Sequence, residues 1–252
     1  MRITFLGTGD PGGIPIVTCS CNFCMKSKQR TRASIAINSN GKNLVFDASP
    51  DLRQQLIKNG IWNIDSVFIT HLHFDHLWGI GEVVARKWLR EKVIPVYVND
   101  SLFKTFSENY SWMKLKLKVT KFNKQIKKGK LKITSIKVKH IKYAETSGFV
   151  IQERKKKVVY IPDYKGTDEK GFKIAKNADV LIVDGLYLLG KYMKDPDHLG
   201  GRELLREILK LDAKKVFVVA LSEHFYKKTA KQMRSLLPKN FFIPCDGQKI
   251  EL

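Results

Sequence analysis

His71-Leu72-His73-Phe74-Asp75-His76 packs three imidazoles and one carboxylate into six residues. It follows the apolar, strand-like segment Ser66-Val67-Phe68-Ile69-Thr70, so it sits where a strand ends and a loop begins. A helix is expected after it, from about Gly79 to Arg90. A rigid sheet fixes the loop that holds reacting groups, which is why strand ends carry function. A histidine-rich surface turn is the bland alternative, and ligand-type residues at this density make a metal site the stronger reading.

His71 and His73 point the same way from an extended segment, because side chains alternate along it. Three further ligand-type residues, His140, Asp163 and His198, stand just past expected strands or before a helix. Counting donors then indicates two cations. One takes His71, His73 and His140; the other takes Asp75 and His76; Asp163 bridges them. Mixed imidazole and carboxylate donors suit zinc, manganese or iron rather than calcium. The open positions suit a bridging water, deprotonated near neutral pH.

The chain has 252 residues, enough to bury a sizeable core, and no linker, repeat or low-complexity tract divides it. One domain over residues 1–252 is the expectation. No apolar run reaches the roughly 20 residues of a membrane span, and the first residues read as a strand rather than a signal segment. A cytoplasmic location without membrane attachment is expected. The net charge of +22 favours anionic partners and leaves nucleic acid open. The basic runs Lys114–Lys132 and Arg154–Lys157 match no nucleic-acid motif, and lysine cover on a heat-adapted surface is the competing explanation.

Cys19, Cys21 and Cys24 fall within six residues, which argues for metal rather than disulfides in a cytosolic chain. Three thiolates need one more ligand for a tetrahedral zinc. Cys245 reads as a small buried hydrophobe. Strands are expected at Arg2–Gly7, at a hairpin Ala33–Asn38 and Asn43–Phe46, and at Ile94–Val98, Leu117–Phe122, Leu131–Lys139, Gly148–Gln152, Val158–Ile161, Val180–Asp184, Val216–Ala220, Phe241–Ile243 and Lys249–Leu252. Helices are expected from Ser49 (as N-cap) to Asn59, from Asp100 to Tyr110, and at Phe172–Asn177, Gly201–Leu211 and Lys227–Leu236. This order suits two sheets packed face to face with helices outside, and leaves a doubly wound parallel sheet open.

The His71–His76 string resembles the signature of metallo-β-lactamase-fold hydrolases. Leu6-Gly7-Thr8-Gly9, Gly13-Ile14-Pro15, Cys19-x-Cys21-x-x-Cys24, Arg30-Thr31-Arg32-Ala33-Ser34 and Asp47-Ala48-Ser49-Pro50-Asp51 narrow the resemblance. They are similar to the branch holding the cyclic-phosphate phosphodiesterases of phosphonate catabolism. The resemblance implies an αβ/βα four-layer sandwich with two divalent ions, zinc or manganese, at the sheet edge. It implies His71, His73, Asp75, His76, His140 and Asp163 as their ligands, with Asp47 orienting a ligand histidine from behind. It implies catalytic roles for Asp75 and His198, His198 protonating the leaving group or holding the phosphate. Cys19, Cys21, Cys24 and His224 match its structural zinc. A homodimer is a family-level expectation, and Arg32 is a weak candidate for clamping phosphate.

One departure is plain. The family pattern has two histidines after the strand at Val216, whereas Val219-Ala220-Leu221-Ser222-Glu223-His224 has one. Either Ala220 or Leu221 fills the missing position and the second metal is weakly held, or His224 serves the active site and the zinc finds another ligand. Glu223 is a substitute in either site. The expected activity is hydrolysis of a small or cyclic phosphodiester through a metal-bridging hydroxide. The rivals are an RNA-processing nuclease of the ribonuclease Z type and a binding protein whose catalytic pair has decayed.

Overall fold

Alternation with apolar residues on both faces marks the strands that end up fully enclosed. In Val180–Asp184, Val180 and Ile182 join one apolar cluster while Leu181 and Val183 join another. Leu44 and Phe46 are divided from Val45 in the same way. The computed structural model describes residues 1–88, 93–113, 116–190 and 197–252.

In chain order the first strands are β1 (Arg2–Gly7), β2 (Ser34–Ser39), β3 (Lys42–Phe46), β4 (Ser66–Phe68), β5 (Pro95–Val98) and β6 (Lys116–Val119). Then come β7 (Gln125–Lys128), β8 (Leu131–Val138), β9 (Thr146–Glu153), β10 (Lys156–Ile161), β11 (Val180–Asp184), β12 (Lys215–Val219) and β13 (Phe241–Phe242). The last strand, β14 (Lys249–Glu251), returns to pair with β1. The result is two seven-stranded sheets, ordered β14-β1-β2-β3-β4-β5-β6 and β13-β12-β11-β10-β9-β8-β7.

Between the sheets lies an aromatic-rich cluster containing Phe5, Phe46, Phe68, Phe149, Tyr160 and Phe217. Phe68 stacks on Phe46 and Tyr97 at centroid distances of 5.0 and 4.6 Å. Outside the first sheet, helices Leu52–Lys58 and Asp100–Asn109 bury Leu52, Leu102 and Phe106. Outside the second, helices Glu169–Ala175, Gly201–Lys210 and Ala230–Arg234 bury Ala175, Leu204, Ile208 and Met233. The layers run helix, sheet, sheet, helix: an αβ/βα sandwich, not one doubly wound sheet. β3 to β6 are parallel to one another, as are β10 to β13. Among the described residues no helix is long and apolar enough to cross a membrane.

Several boundaries differ from expectation. Ser49 does not cap a helix; its hydroxyl accepts from the Asp51 amide at 3.3 Å, and the helix begins at Leu52. Asn99 rather than Asp100 caps the helix that follows, accepting from the Leu102 amide at 2.9 Å. The helix expected at Gly79 is preceded by a one-turn helix Phe74–Leu77 inside the histidine string. Gly79 permits that turn to dock: a Cβ there would lie 1.9 Å from the Ser49 carbonyl oxygen. The helix after it is described over Gly81–Trp88; its expected end at Arg90, Lys114 of the first basic run, and Asp195-Pro196 lie outside the described residues. Cys245 is exposed, not buried, because it stands in the turn before β14, where its amide donates to Gln248 Oε1.

Candidate active site

The parallel strands deliver their C-terminal ends to one rim. Asp47 follows β3, Thr70 and His71 follow β4, Asp163 follows β10, and Asp184 ends β11. His140 leaves the end of β8, antiparallel to β9. Open α/β sheets place their ligands outside such strand ends.

At this rim the donor atoms converge. Ligating atoms of His71, His73 and His140 lie within 4.8 Å of one another, as do those of His71, His76 and Asp163, and of His140, Asp163 and His198. His76 Nε2 lies 3.1 Å from Asp75 Oδ2 and 2.9 Å from Asp163 Oδ2. His140 Nε2 faces His73 Nδ1 at 3.3 Å.

Each of four imidazoles is tied from behind by one ring nitrogen. His76 Nδ1 donates to Asp47 Oδ2 at 2.8 Å, and His140 Nδ1 to the Asp197 carbonyl at 2.8 Å. His198 Nδ1 donates to Asp184 Oδ2 at 3.0 Å, and His71 Nδ1 meets the Thr70 hydroxyl at 2.9 Å. Such partners fix the tautomer, so the other nitrogen turns inward as a lone-pair donor. Asp47 also accepts from the Thr70 amide at 2.8 Å and from the Tyr160 hydroxyl at 3.0 Å, which holds its carboxylate rigid. Replacing Asp47 with Asn keeps the size but spoils this acceptor. A loss of about 10–100-fold in metal affinity or kcat/KM is expected, measured by metal titration and steady-state kinetics; an unchanged variant would deny Asp47 its orienting role.

The residues fit divalent cations. His71 Nε2 and Asp163 Oδ2 are buried without any hydrogen-bond partner, a costly state in a packed interior. Asp163 Oδ2 approaches His76 Nε2 closely, yet the two do not meet in hydrogen-bond geometry. Burial holds His71 well below the usual imidazole range, and burial likewise lowers His73, so both present neutral donors. Burial would lower His76 too, but Asp75, Asp163 and Asp47 outweigh it and hold it well above that range. Burial would raise Asp163, and His76, His71 and His140 instead pull it well below the ordinary carboxylate range. The pocket demands positive charge, as proton or as metal.

The cysteines form a second cluster. His224 Nδ1 lies 3.8, 3.4 and 3.2 Å from the sulfurs of Cys19, Cys21 and Cys24. The Cys24 amide donates to the Cys21 sulfur at 3.4 Å and brings that thiol down to about 6, which favours thiolate near neutral pH. His224 therefore stands with the thiols and not with the imidazole cluster. Leu221 is buried in the outer apolar core, and Ala220 has a left-handed backbone with φ of 55°. Glu223 is engaged elsewhere, pairing with the buried Arg30 at 2.9 Å. Arg32 is also engaged: its guanidinium pairs with Asp51 at 3.0 Å and donates to the Pro11 carbonyl.

Sequence reasoning missed Thr70, Tyr143, Tyr160 and Asp184. Tyr143, an exposed residue, places its hydroxyl 3.2 Å from His73 Nε2. Asp184 closes an apolar strand just as Asp163 follows one, and that shared signal was available.

This fold and this site define the class of metallo-β-lactamase-fold hydrolases. Residues 42–219 match the beta-lactamase superfamily domain, and the chain belongs to that superfamily. It is 28% identical to an octanoyltransferase of Porphyromonas gingivalis over 98% of this chain, but spans only 51% of that protein. It is 24% identical to ribonuclease Z of Archaeoglobus fulgidus, covering 90% of this chain and 89% of that protein. A solved diphosphatase of the PhnP family superposes with a TM-score of 0.85 at 23% identity, over 100% of this chain and 98% of that one.

Proposed function

We propose that the protein is a metal-dependent phosphodiesterase of the cytoplasm acting on a small or cyclic phosphodiester. The observation that carries this reading is the pair of orphaned, buried donors, His71 Nε2 and Asp163 Oδ2, inside a ring of inward-turned imidazoles. His71, His73, His140 and Asp163 would hold one zinc or manganese ion, and Asp75, His76 and Asp163 a second. When bound, such ions supply Lewis acidity toward a phosphoryl oxygen and lower the pKa of water.

The chain's own residues supply the rest. His198 is held by Asp184, with Nε2 3.9 Å from Asp163 Oδ1, so it stands at the edge of the donor ring. From there His198, as the imidazolium that the Asp184 carboxylate favours, hands its Nε2 proton to the departing alkoxide. A cavity of about 650 Å³ opens beside His140 and is lined by Lys137, Lys139, Lys142 and Lys165, with Glu145 as the one acid among the described residues there. Four cations against one carboxylate attract an anionic substrate.

Hydrolysis of bis-p-nitrophenyl phosphate by the metal-supplemented protein tests this reading. Turnover in the wild type and its loss in His73→Ala are expected; undiminished turnover in the variant would remove the site from the reaction. A second reading, RNA cleavage, is favoured by the +22 charge and by the likeness to ribonuclease Z over most of both chains. Cyclic-nucleotide and tRNA-precursor assays side by side separate the two.

A further inference from the structure

Of the three imidazoles at the first cation position, His73 alone is half-buried, whereas His71 and His140 are buried. His73 opens the one-turn helix Phe74–Leu77 with an extended backbone, and its side chain makes no cap bond. Its ring is therefore fixed by whatever meets its two nitrogens. Nδ1 faces His140 Nε2 at 3.3 Å, with the two rings nearly perpendicular at 81°. Nε2 faces the Tyr143 hydroxyl at 3.2 Å, and it has no other hydrogen-bond partner among the described residues.

His140 and Tyr143 stand three residues apart in His140-Ile141-Lys142-Tyr143, the stretch that follows β8. One short segment thus meets His73 at both ring nitrogens, with an imidazole on one side and a phenol on the other. The proton count gives the second contact its direction. Nδ1 offers a lone pair to a cation only when Nε2 carries the proton. Nε2 then donates, and the phenol oxygen accepts. Without an acceptor there the ring can turn, because the χ2 wells of histidine are broad and roughly two-fold. A half-turn about Cβ–Cγ would put a carbon where Nδ1 stood. His71, His76 and His140 are held against such a turn by Thr70, Asp47 and the Asp197 carbonyl. Tyr143 is 71% exposed, so its ring adds little to the core and the hydroxyl contact is its distinctive feature.

We propose that Tyr143 is a positioning residue for His73: its phenol oxygen accepts the Nε2 proton and so keeps Nδ1 turned toward the first cation position. This rests on the metal reading of the site. The brace and the ligand His140 come from one segment, so the first position depends on how that segment lies. The second position, built on Asp75, His76 and Asp163, takes no donor from it. Tyr143 also lines the lysine-bordered cavity beside His140, which sets the brace on the wall that an incoming substrate meets.

Calorimetric titration with Mn²⁺, on protein stripped of all metal but its cysteine-bound zinc, tests the proposal. Tyr143→Phe is expected to bind one equivalent about tenfold more weakly than wild type. That is the lower end of what partners behind metal ligands contribute, because water reaches this exposed position. The metal-free variant should melt as metal-free wild type does. Its hydrolysis of bis-p-nitrophenyl phosphate should fall by the same factor at limiting Mn²⁺ and recover as Mn²⁺ approaches saturation. Tyr143→Ala, which removes the ring as well, should match Tyr143→Phe. Full Mn²⁺ affinity in Tyr143→Phe overturns the proposal. So does a loss confined to Tyr143→Ala, which would make the ring a wall and not a brace. A rate loss that persists at saturating Mn²⁺ with normal metal affinity also overturns it and makes Tyr143 a substrate contact. A wild type that binds no Mn²⁺ removes the metal reading itself, which the other outcomes leave standing.

Discussion

Asp163→Ala is expected to abolish phosphodiester hydrolysis and to release metal from both positions at once. Asp163 follows the buried strand β10, and its two oxygens face different neighbours. Oδ2 lies 2.9 Å from His76 Nε2 and 3.7 Å from His71 Nε2, while Oδ1 lies 3.9 Å from His198 Nε2. No other carboxylate among the described residues falls within the tight donor groups of this rim. Its removal leaves His71, His140 and His198 without the anion that offsets a cation beside them. Metal ions contribute several kcal/mol of charge stabilisation in such reactions, and about 1.4 kcal/mol is tenfold in rate. A fall in kcat/KM of roughly 10³-fold or more follows from those magnitudes. Steady-state kinetics with saturating metal measure it, and circular dichroism confirms that the variant folds. A loss under tenfold would show that Asp163 is not shared by the two positions.

The second large effect falls on stability, at the cysteine cluster. Cys24→Ser is expected to lower the melting temperature of the zinc-loaded protein by roughly 10 °C, given ligand linkage at a large excess over Kd and the heat of unfolding of a chain this size. Cys24 is buried in the short helix Asn22–Lys26, and His224 lies in the helix Glu223–Tyr226. Those two helices pack together, and the long loop between β1 and β2 has little other regular structure. Zinc would tie that loop to the exit of β12. Cys245→Ser, at an exposed position outside the cluster, serves as the control and should melt as wild type does. Equal melting of all three proteins in zinc would make the cluster incidental to stability.

The fold was legible because both faces of the central strands are apolar and because strands precede helices in each half. What the sequence could not show was which apolar face met which layer; only pairing of β14 back to β1 and the two sheet orders settle that. Helices of four residues, Phe74–Leu77 and Glu223–Tyr226, escape any periodicity argument because they span barely one turn. β7, Gln125–Lys128, was missed because Ile126 is its one apolar residue, too few to show an alternation.

The site was legible where its donors are contiguous and obscure where each is a single residue. His71 to His76 declares itself. His140 and Asp163 required the further argument that two cations lacked donors, and the structure places both in the ring. Thr70, Tyr160 and Asp184 act through other side chains, and a lone polar residue at a strand end looks like any strand end.

Anomalous diffraction from crystals of the protein grown with Mn²⁺ addresses the cation site most directly. Peaks are expected between His71 Nε2 and Asp163 Oδ2, with His73, His140 and His76 around them and donor distances of about 2.0–2.2 Å. Density confined to Cys19, Cys21, Cys24 and His224, with the imidazole ring closed on itself and empty at saturating metal, would contradict a metal centre there.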